Sequence, residues 1–191
     1  MKKNTYLQTP SQTVGPFFAY GLTAKQYDYP FPSLFSGNLI QSEVHSENII
    51  ISGKVYDGQG VSLDDAMVET WQADQEGRYR TDLNDDFLGF GRMGTGTNEE
   101  RNFKFITYKP GKVEKNLAPH INIIVFARGM LNHLFTRMYF SDEEEDNKKD
   151  IILNQIDPLL RSRLVAKKID DQNYRFDIFL QGKKETVFFD I

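Results

Sequence analysis

The stretch Ala118–Phe126, APHINIIVF, has the pattern of a buried β-strand that begins at a histidine. Branched apolar residues dominate it, and such residues favour strands. Side chains two positions apart on a strand point to the same face, so His120 and Asn122 are neighbours there. A His-x-His pair in this place would supply half of a metal site, because imidazole is a common metal ligand. The chain has asparagine at the second position, so only one strong donor remains.

Other short strands flank this one on both sides, and turn sequences such as Asp57–Gly60 (DGQG) and Pro110-Gly111 separate them. The predicted strands are Asn48–Tyr56, Ala66–Ala73, Asn102–Tyr108, His120–Phe126, Thr136–Phe140, Arg163–Lys168 and Tyr174–Leu180. The segment Ser141–Asp150 is acidic first and basic later, which predicts one short helix capped by its serine. The pattern predicts an all-β fold, a β-sandwich of short mixed strands with one short helix.

The first forty residues lack a regular hydrophobic period, and proline and glycine interrupt them repeatedly. Aromatic residues are frequent between Phe17 and Phe35, and disordered segments are poor in aromatics. We therefore expect an ordered, irregular N-terminal arm over residues 1–40, attached to a β-sandwich core over residues 41–191. The whole chain, 1–191, is expected to be a single domain. Packing of the arm on its own domain and contact of the arm with a partner are equally compatible with the sequence.

Composition excludes several classes of function. The chain has 191 residues and a formal net charge of −4, which disfavours a nucleic-acid partner. It has no cysteine, so disulfides and thiolate metal sites are excluded. The beginning, MKKNTYLQTPSQT, has no apolar segment of the signal-peptide kind, and no apolar run has the length of a membrane span. We therefore expect a cytoplasmic protein that has neither a nucleic acid nor a membrane as its partner.

Several segments, in order along nearly the whole chain, carry a resemblance to a known family. They are Thr9–Phe17 (TPSQTVGPF), Val68–Arg80 (VETWQADQEGRYR), Asn84–Gly91, Ala118–Gly129 (APHINIIVFARG), Thr136–Asp142 and Tyr174–Ile191. Together they resemble the intradiol ring-cleavage dioxygenases, and among these the alpha subunits of the members that cleave protocatechuate. The resemblance implies a β-sandwich fold and an O₂-dependent opening of a catechol ring between its two hydroxylated carbons. For protocatechuate the product implied is 3-carboxy-cis,cis-muconate, an intermediate of the beta-ketoadipate pathway.

The resemblance also implies a cofactor and a partner. Enzymes of this family hold one non-haem Fe(III) with two tyrosinates and two histidines, and hard phenolate donors suit ferric iron. In the members built from two homologous subunits, a beta subunit carries this iron and an alpha subunit packs beside it. We therefore expect Fe(III) in a partner beta subunit and not in this chain. The substrates implied are a catechol and O₂, and activity is expected only in the alpha–beta hetero-oligomer.

The family's four iron ligands map onto this chain with two losses. One tyrosine falls on Tyr79 and one histidine on His120, and both are retained. The second tyrosine falls at about Val113 and the second histidine on Asn122, so both of these ligands are lost. The arginine that precedes the first histidine in catalytic subunits falls on Leu117. Hydrogen-bonded structural roles for Tyr79 and His120 are therefore the more common expectation.

In the alpha subunits that the chain resembles, two segments border the partner's active site. They map onto Thr13, Gly15, Pro16 and Arg128, which are therefore the predicted substrate-binding residues. A guanidinium recognises a carboxylate through two parallel hydrogen bonds, and glycine lets the backbone approach a ligand closely. The alternative for Arg128 is a structural salt bridge at a strand end, and for Gly15-Pro16 it is a plain turn. Arg137 is expected to form a surface or interface ion pair.

Two other functions remain open on the sequence alone. A self-sufficient intradiol dioxygenase with an unusual iron site would need replacement ligands, and the spare His133 has no clear route to the site. A non-enzymatic β-sandwich binding module would use the aromatic arm as its platform. A visible absorption band from tyrosinate-bound iron distinguishes the first of these from an alpha subunit. Co-purification with a second chain that carries the full set of iron ligands distinguishes an alpha subunit from the binding module.

Overall fold

The computed structural model describes residues 8–15, 17–42 and 47–190, so Pro16 lies outside the described residues. The strands are β1 (Asn48–Gly53), β2 (Val55–Tyr56), β3 (Met67–Trp71), β4 (Phe90–Gly94), β5 (Phe103–Tyr108), β6 (His120–Phe126), β7 (Leu134–Phe140), β8 (Val165–Lys168), β9 (Asn173–Arg175) and β10 (Ile178–Phe179). The short α-helices are α1 (Phe18–Leu22) and α2 (Glu144–Asn147), and 3₁₀ turns span Ala24–Tyr27, Leu153–Gln155 and Arg161–Leu164. Every helix in this part of the chain is too short to traverse a bilayer.

One long sheet has the strand order β4-β3-β6-β7-β8-β9-β1-β5, and β10 pairs with β2 separately. Most neighbours are antiparallel, whereas β7–β8, β1–β9 and β2–β10 are parallel. The sheet folds over on itself, and residues 36–41 bond to both edges. Leu39 donates its N–H to Ile106 of β5, and its carbonyl accepts the N–H of Leu88 beside β4. The predicted all-β sandwich is confirmed, in a nearly closed form.

Alternation along β6 decides which side chains enter the core. Ile121, Ile123 and Val125 are buried between the two halves of the sheet, and they pack against the inner faces of β1 and β5. His120, Asn122, Ile124 and Phe126 point to the opposite, outer face. Further members of the core are Leu39, Ile49, Ile51, Val68, Phe103, Phe105, Met138 and Phe140. This fixed register places the predicted site on the outer face of β6.

The structure departs from the predicted elements at places where side chains compete for the backbone hydrogen bonds of strands and helices. The predicted strand Tyr174–Leu180 breaks because Asp177 Oδ1 accepts the N–H of Lys54 at 2.9 Å, and the chain crosses from β1 to β2 there. Ser141 does not cap α2, since its hydroxyl accepts the N–H of Lys168 instead. β4 was not predicted, because its sequence FGRMG contains two glycines.

The N-terminal arm packs on its own domain on one side. Phe18 of α1 lies 5.5 Å, centroid to centroid, from Phe126 of β6. The amide of Gln26 exchanges two hydrogen bonds with the backbone of Gly94, at 2.7 and 2.8 Å, and so extends the edge of β4. The other side stays open, with Phe17 72% and Phe31 61% exposed. The arm therefore contains a short helix that the sequence did not predict, and both of its predicted roles remain compatible with the structure.

Candidate functional site

A row of side chains crosses the outer face of four neighbouring strands. The register pairs Phe90 with Trp71, Trp71 with Asn122, and Asn122 with Arg137. Residues that face each other across strands share a face of the sheet, so these side chains form one continuous surface. His120 of β6 pairs with Tyr139 of β7 in the next row. The retained and the lost ligand positions of β6 therefore lie side by side.

Tyr79 reaches this row from the loop that follows β3. Asp74 Oδ1 accepts the N–H groups of Glu76 and Arg78, both at 2.9 Å, which closes the loop into a tight turn. Gly77 has φ +80°, and a side chain there would clash with the carbonyl of Lys112. The Tyr79 ring stacks on Trp71 with centroids 5.4 Å apart and an interplanar angle of 11°. The loop thus holds the phenol over the outer face.

A chain of hydrogen bonds joins three side chains in this place. The Asn122 amide nitrogen donates to Tyr79 Oη at 3.3 Å. Arg137 Nε donates to the Asn122 amide oxygen at 3.1 Å. Asn122 therefore links the retained tyrosine to a guanidinium, and its oxygen is already engaged as an acceptor. Arg137 forms no ion pair with any residue of the described part of the chain.

His120 is buried and electrically neutral. Its Nδ1 lies 2.7 Å from the carbonyl oxygen of Ala118, an acceptor, so Nδ1 carries the proton. Burial, followed by the positive charge of Arg137, lowers the pKa of His120 to about 4. Tyr139 donates its hydroxyl to Asp150 Oδ1 at 3.1 Å, and burial raises the pKa of that tyrosine. These residues form a satisfied polar cluster at the start of β6.

These donors do not fit Fe(III). Val113 offers no donor atom, and Asn122 supplies a neutral amide whose nitrogen donates to the oxygen that would have to bind the metal. The Arg137 guanidinium lowers the pKa of His120 and adds a positive charge where a ferric ion would need negative ligands. Two remaining donors, Tyr79 and His120, cannot compensate for these losses. The iron used by the family is therefore not assigned to these residues.

The other predicted residues converge at the turn between β6 and β7. Gly129 donates its N–H to Thr13 Oγ1 at 2.7 Å, so the N-terminal arm is fastened to the residue that follows Arg128. Gly15 is exposed, its carbonyl accepts the N–H of Phe18, and a side chain there would meet open space. Nothing within this chain therefore requires a glycine at position 15. Thr13 and Arg128 lie at one corner of the molecule, whereas the predicted residue Pro16 lies outside the described part of the chain.

Arg128 makes the ion pair that the sequence offered as its alternative role. Its Nε lies 2.9 Å from Asp65 Oδ2, although this carboxylate oxygen has no partner in hydrogen-bond geometry. Asp65 is only 9% exposed in its side chain, whereas Arg128 is 61% exposed. The pair therefore orients the guanidinium and leaves much of it open to the surroundings. Asp65 was not predicted, because its place beside Arg128 depends on the pairing of β3 with β6.

A family model described as Dioxygenase matches residues 37–182, which is more than half of the chain. The chain belongs to the intradiol dioxygenase family. The protocatechuate 3,4-dioxygenase alpha chain of Burkholderia cepacia is 45% identical and aligns over 98% of this chain and 99% of its own length. The beta chain of that enzyme is 31% identical, over 73% of this chain and 67% of its own length.

The fold of this intradiol dioxygenase recurs in solved structures. A dioxygenase domain from Streptomyces sp. SirexAA-E, part of a fusion with a carbohydrate-binding protein, matches with a TM-score of 0.60. The identity is 22%, and the match covers 94% of this chain and 100% of that one. The likeness at this identity concerns the fold alone. The family model and the relatives compared by sequence confirm the resemblance inferred from the sequence.

Proposed function

We propose that this chain is the alpha subunit of a protocatechuate 3,4-dioxygenase and acts only together with a homologous beta subunit. One observation carries the proposal: a relative named as the alpha chain of that enzyme aligns over almost its whole length at 45% identity. The substitutions at Val113 and Asn122 agree with it, because the family's reaction depends on iron that this chain is not equipped to hold. The cytoplasmic location predicted from the sequence remains part of this proposal.

The beta subunit holds the Fe(III) in this proposal. Fe(III) in that subunit would supply the activation of a catechol toward O₂, and the product of the proposed ring opening is 3-carboxy-cis,cis-muconate. This chain supplies the wall of the substrate pocket through Thr13, Gly15, Pro16 and Arg128. Arg128 is exposed and already oriented by Asp65, so its outer guanidinium nitrogens can meet the carboxylate of protocatechuate. Thr13 fastens the arm beside it.

Expression of the chain alone and with the beta subunit tests the proposal. Alone, the chain should contain no stoichiometric iron, show no tyrosinate-to-iron absorption band and have no activity. With the beta subunit, the complex should hold one iron per alpha–beta pair and cleave protocatechuate. An isolated chain that holds one tight iron and is coloured would instead be a self-sufficient dioxygenase.

A paired variant locates the iron within the complex. Tyr79→Phe combined with His120→Asn removes both retained donors from this chain. The iron content and the visible band of the complex should stay at the wild-type level, because the metal is held by the partner. Loss of iron from the complex that carries this double variant would place the metal in the alpha chain and overturn the proposal.

A further inference from the structure

A cavity of about 640 Å³ lies over the outer face of β6 and β7, directly above the lost ligand position. Asn122 and Arg137 form its polar floor. Its apolar walls are Trp71, Phe90, Ile124, Phe135, Ile152 and Phe189. Pockets for small molecules have this size, with mostly apolar walls and a few placed polar groups. The volume accommodates a substituted aromatic ring.

The polar floor carries a positive charge that is incompletely paired. Arg137 Nε donates to Asn122, whereas Arg137 Nη1 is buried and has no hydrogen-bond partner in the described part of the chain. Arg92, in the neighbouring row, differs: its Nη2 lies 2.6 Å from Glu69 Oε1 in an ion pair. A buried N–H group without an acceptor is costly, and an incoming carboxylate would accept a hydrogen bond from Arg137 Nη1.

We propose that this cavity binds a small aromatic monocarboxylate, with the carboxylate on Arg137 and the ring between the apolar walls. The proposal goes beyond the alpha-subunit function, because it gives this chain a ligand site of its own. The site is separate from the corner at Arg128, because β6 continues for four residues from Asn122 to Phe126, roughly 13 Å at strand rise, and Arg128 lies beyond its end.

Asp190 narrows the class of ligand. It lines the same cavity and forms no ion pair with Arg137 in the described part of the chain. Its negative charge disfavours a second carboxylate on the ligand, whereas it can accept a hydrogen bond from a ring hydroxyl. A hydroxybenzoate therefore fits the cavity better than a benzene dicarboxylate, and 4-hydroxybenzoate is a suitable probe.

Trp71 makes the binding directly measurable, because it is the single tryptophan of the chain and lines the cavity. Titration of the full chain with 4-hydroxybenzoate should change the tryptophan fluorescence in a saturable manner. The uncharged analogue 4-hydroxybenzamide should bind at least roughly tenfold more weakly, since it cannot form the charged pair. No saturable change, or equal affinity for the two compounds, would overturn the proposal.

Variants assign the binding to the guanidinium. Arg137→Met should weaken 4-hydroxybenzoate binding at least roughly tenfold, and Arg137→Lys should retain part of the affinity. Asp190→Asn should tighten it, because a competing negative charge is removed. Arg175→Met, at an arginine paired with Asp177 outside the cavity, is the matched control and should bind as the wild type does. Unchanged affinity in Arg137→Met would refute the assignment.

The assembled enzyme gives a second, independent measurement. Calorimetric titration of the alpha–beta complex with 4-hydroxybenzoate should show two sites per pair, one at the partner's iron and one at Arg137. Arg137→Met should remove one of the sites that the wild-type complex shows, whereas an unchanged number of sites in this variant would contradict the proposal. Arg128→Met separates the two functions: it should lower turnover of protocatechuate and leave the Trp71 signal of the isolated chain unchanged.

Discussion

At the residue scale, Asn122 links its neighbours on the outer face of β6 through hydrogen bonds. Its amide donates to Tyr79 and accepts from Arg137, so the three side chains are held in one row. The presence of a neutral amide beside His120 on this face was predictable from the sequence, because residues two apart on a strand share a face. The hydrogen bond from Arg137 to Asn122 was not predictable from the sequence. It depends on the register between β6 and β7, which places the two residues opposite each other.

Burial of His120 makes the stability of the chain depend on pH. Its pKa falls from 6.5 to about 4 on folding, through burial and the charge of Arg137, so the unfolded chain binds the extra proton first. The free energy of unfolding should therefore decrease as the pH falls from about 6.5 towards 4, by roughly 3 kcal/mol in total from this group. His120→Asn should show a flatter profile across this range in urea unfolding experiments.

His133→Asn provides the control for this measurement. His133 is an exposed histidine on the turn between β6 and β7, and its ring lies 5.4 Å from that of Phe126 and 4.7 Å from that of Phe135, centroid to centroid. It lies outside the polar cluster around His120, so this variant controls for the loss of a histidine elsewhere in the chain. A profile of His120→Asn that is as steep as the wild-type profile would show that His120 does not titrate on unfolding.

At the element scale, the N-terminal arm and the turn after β6 form one unit through the bond from Gly129 to Thr13. Their common role near a substrate was predictable from the family resemblance, segment by segment. The hydrogen bond between Gly129 and Thr13 was not predictable, because the two residues are 116 positions apart in the sequence. Helix α1 was not predictable either, since a helix of five residues is too short to show a hydrophobic period.

Thr13→Val should release this contact. The variant keeps the shape of the side chain and loses the acceptor for the Gly129 N–H, at a cost of about 1 kcal/mol. Amide hydrogen exchange at Gly129 should then become roughly fivefold faster. Thr13→Ser keeps the hydroxyl and should retain the wild-type rate. Equal exchange rates in the valine and serine variants would show that the arm is not fastened by this bond.

The open side of the arm is expected to bind the beta subunit. Phe17, Phe31 and Leu34 are 72%, 61% and 70% exposed, and exposed apolar groups in one segment commonly mark an interface. Replacing all three with serine should weaken association with the beta subunit, measured by analytical ultracentrifugation. Leu159→Ser is the matched control, because Leu159 is 84% exposed on a different part of the chain. Full association of the triple variant would exclude the arm as the interface.

At the scale of the whole molecule, the fold class followed from short alternating strands between turn sequences, and the family followed from motifs spread along the chain. The order of strands did not follow, because parallel neighbours such as β1 and β9 are distant in sequence. Closure of the sheet by residues 36–41 could not be predicted either, because the residues that they bond to are distant in sequence. The contacts of Arg128 and Arg137 also join residues that are distant in sequence. Of these two arginines, only Arg128 was predicted as a site residue, through the family resemblance.

If this chain completes a substrate pocket whose iron lies in its partner, Arg128 should recognise the carboxylate of protocatechuate. Steady-state kinetics of the complex should compare wild-type and Arg128→Ala chains on protocatechuate and on catechol, which lacks the carboxylate. Removing one member of a desolvated charge pair costs about 2–5 kcal/mol, so kcat/KM for protocatechuate should fall roughly 30-fold or more, with slow catechol turnover little changed. An equal loss on both substrates would show that Arg128 holds the interface and does not recognise the substrate.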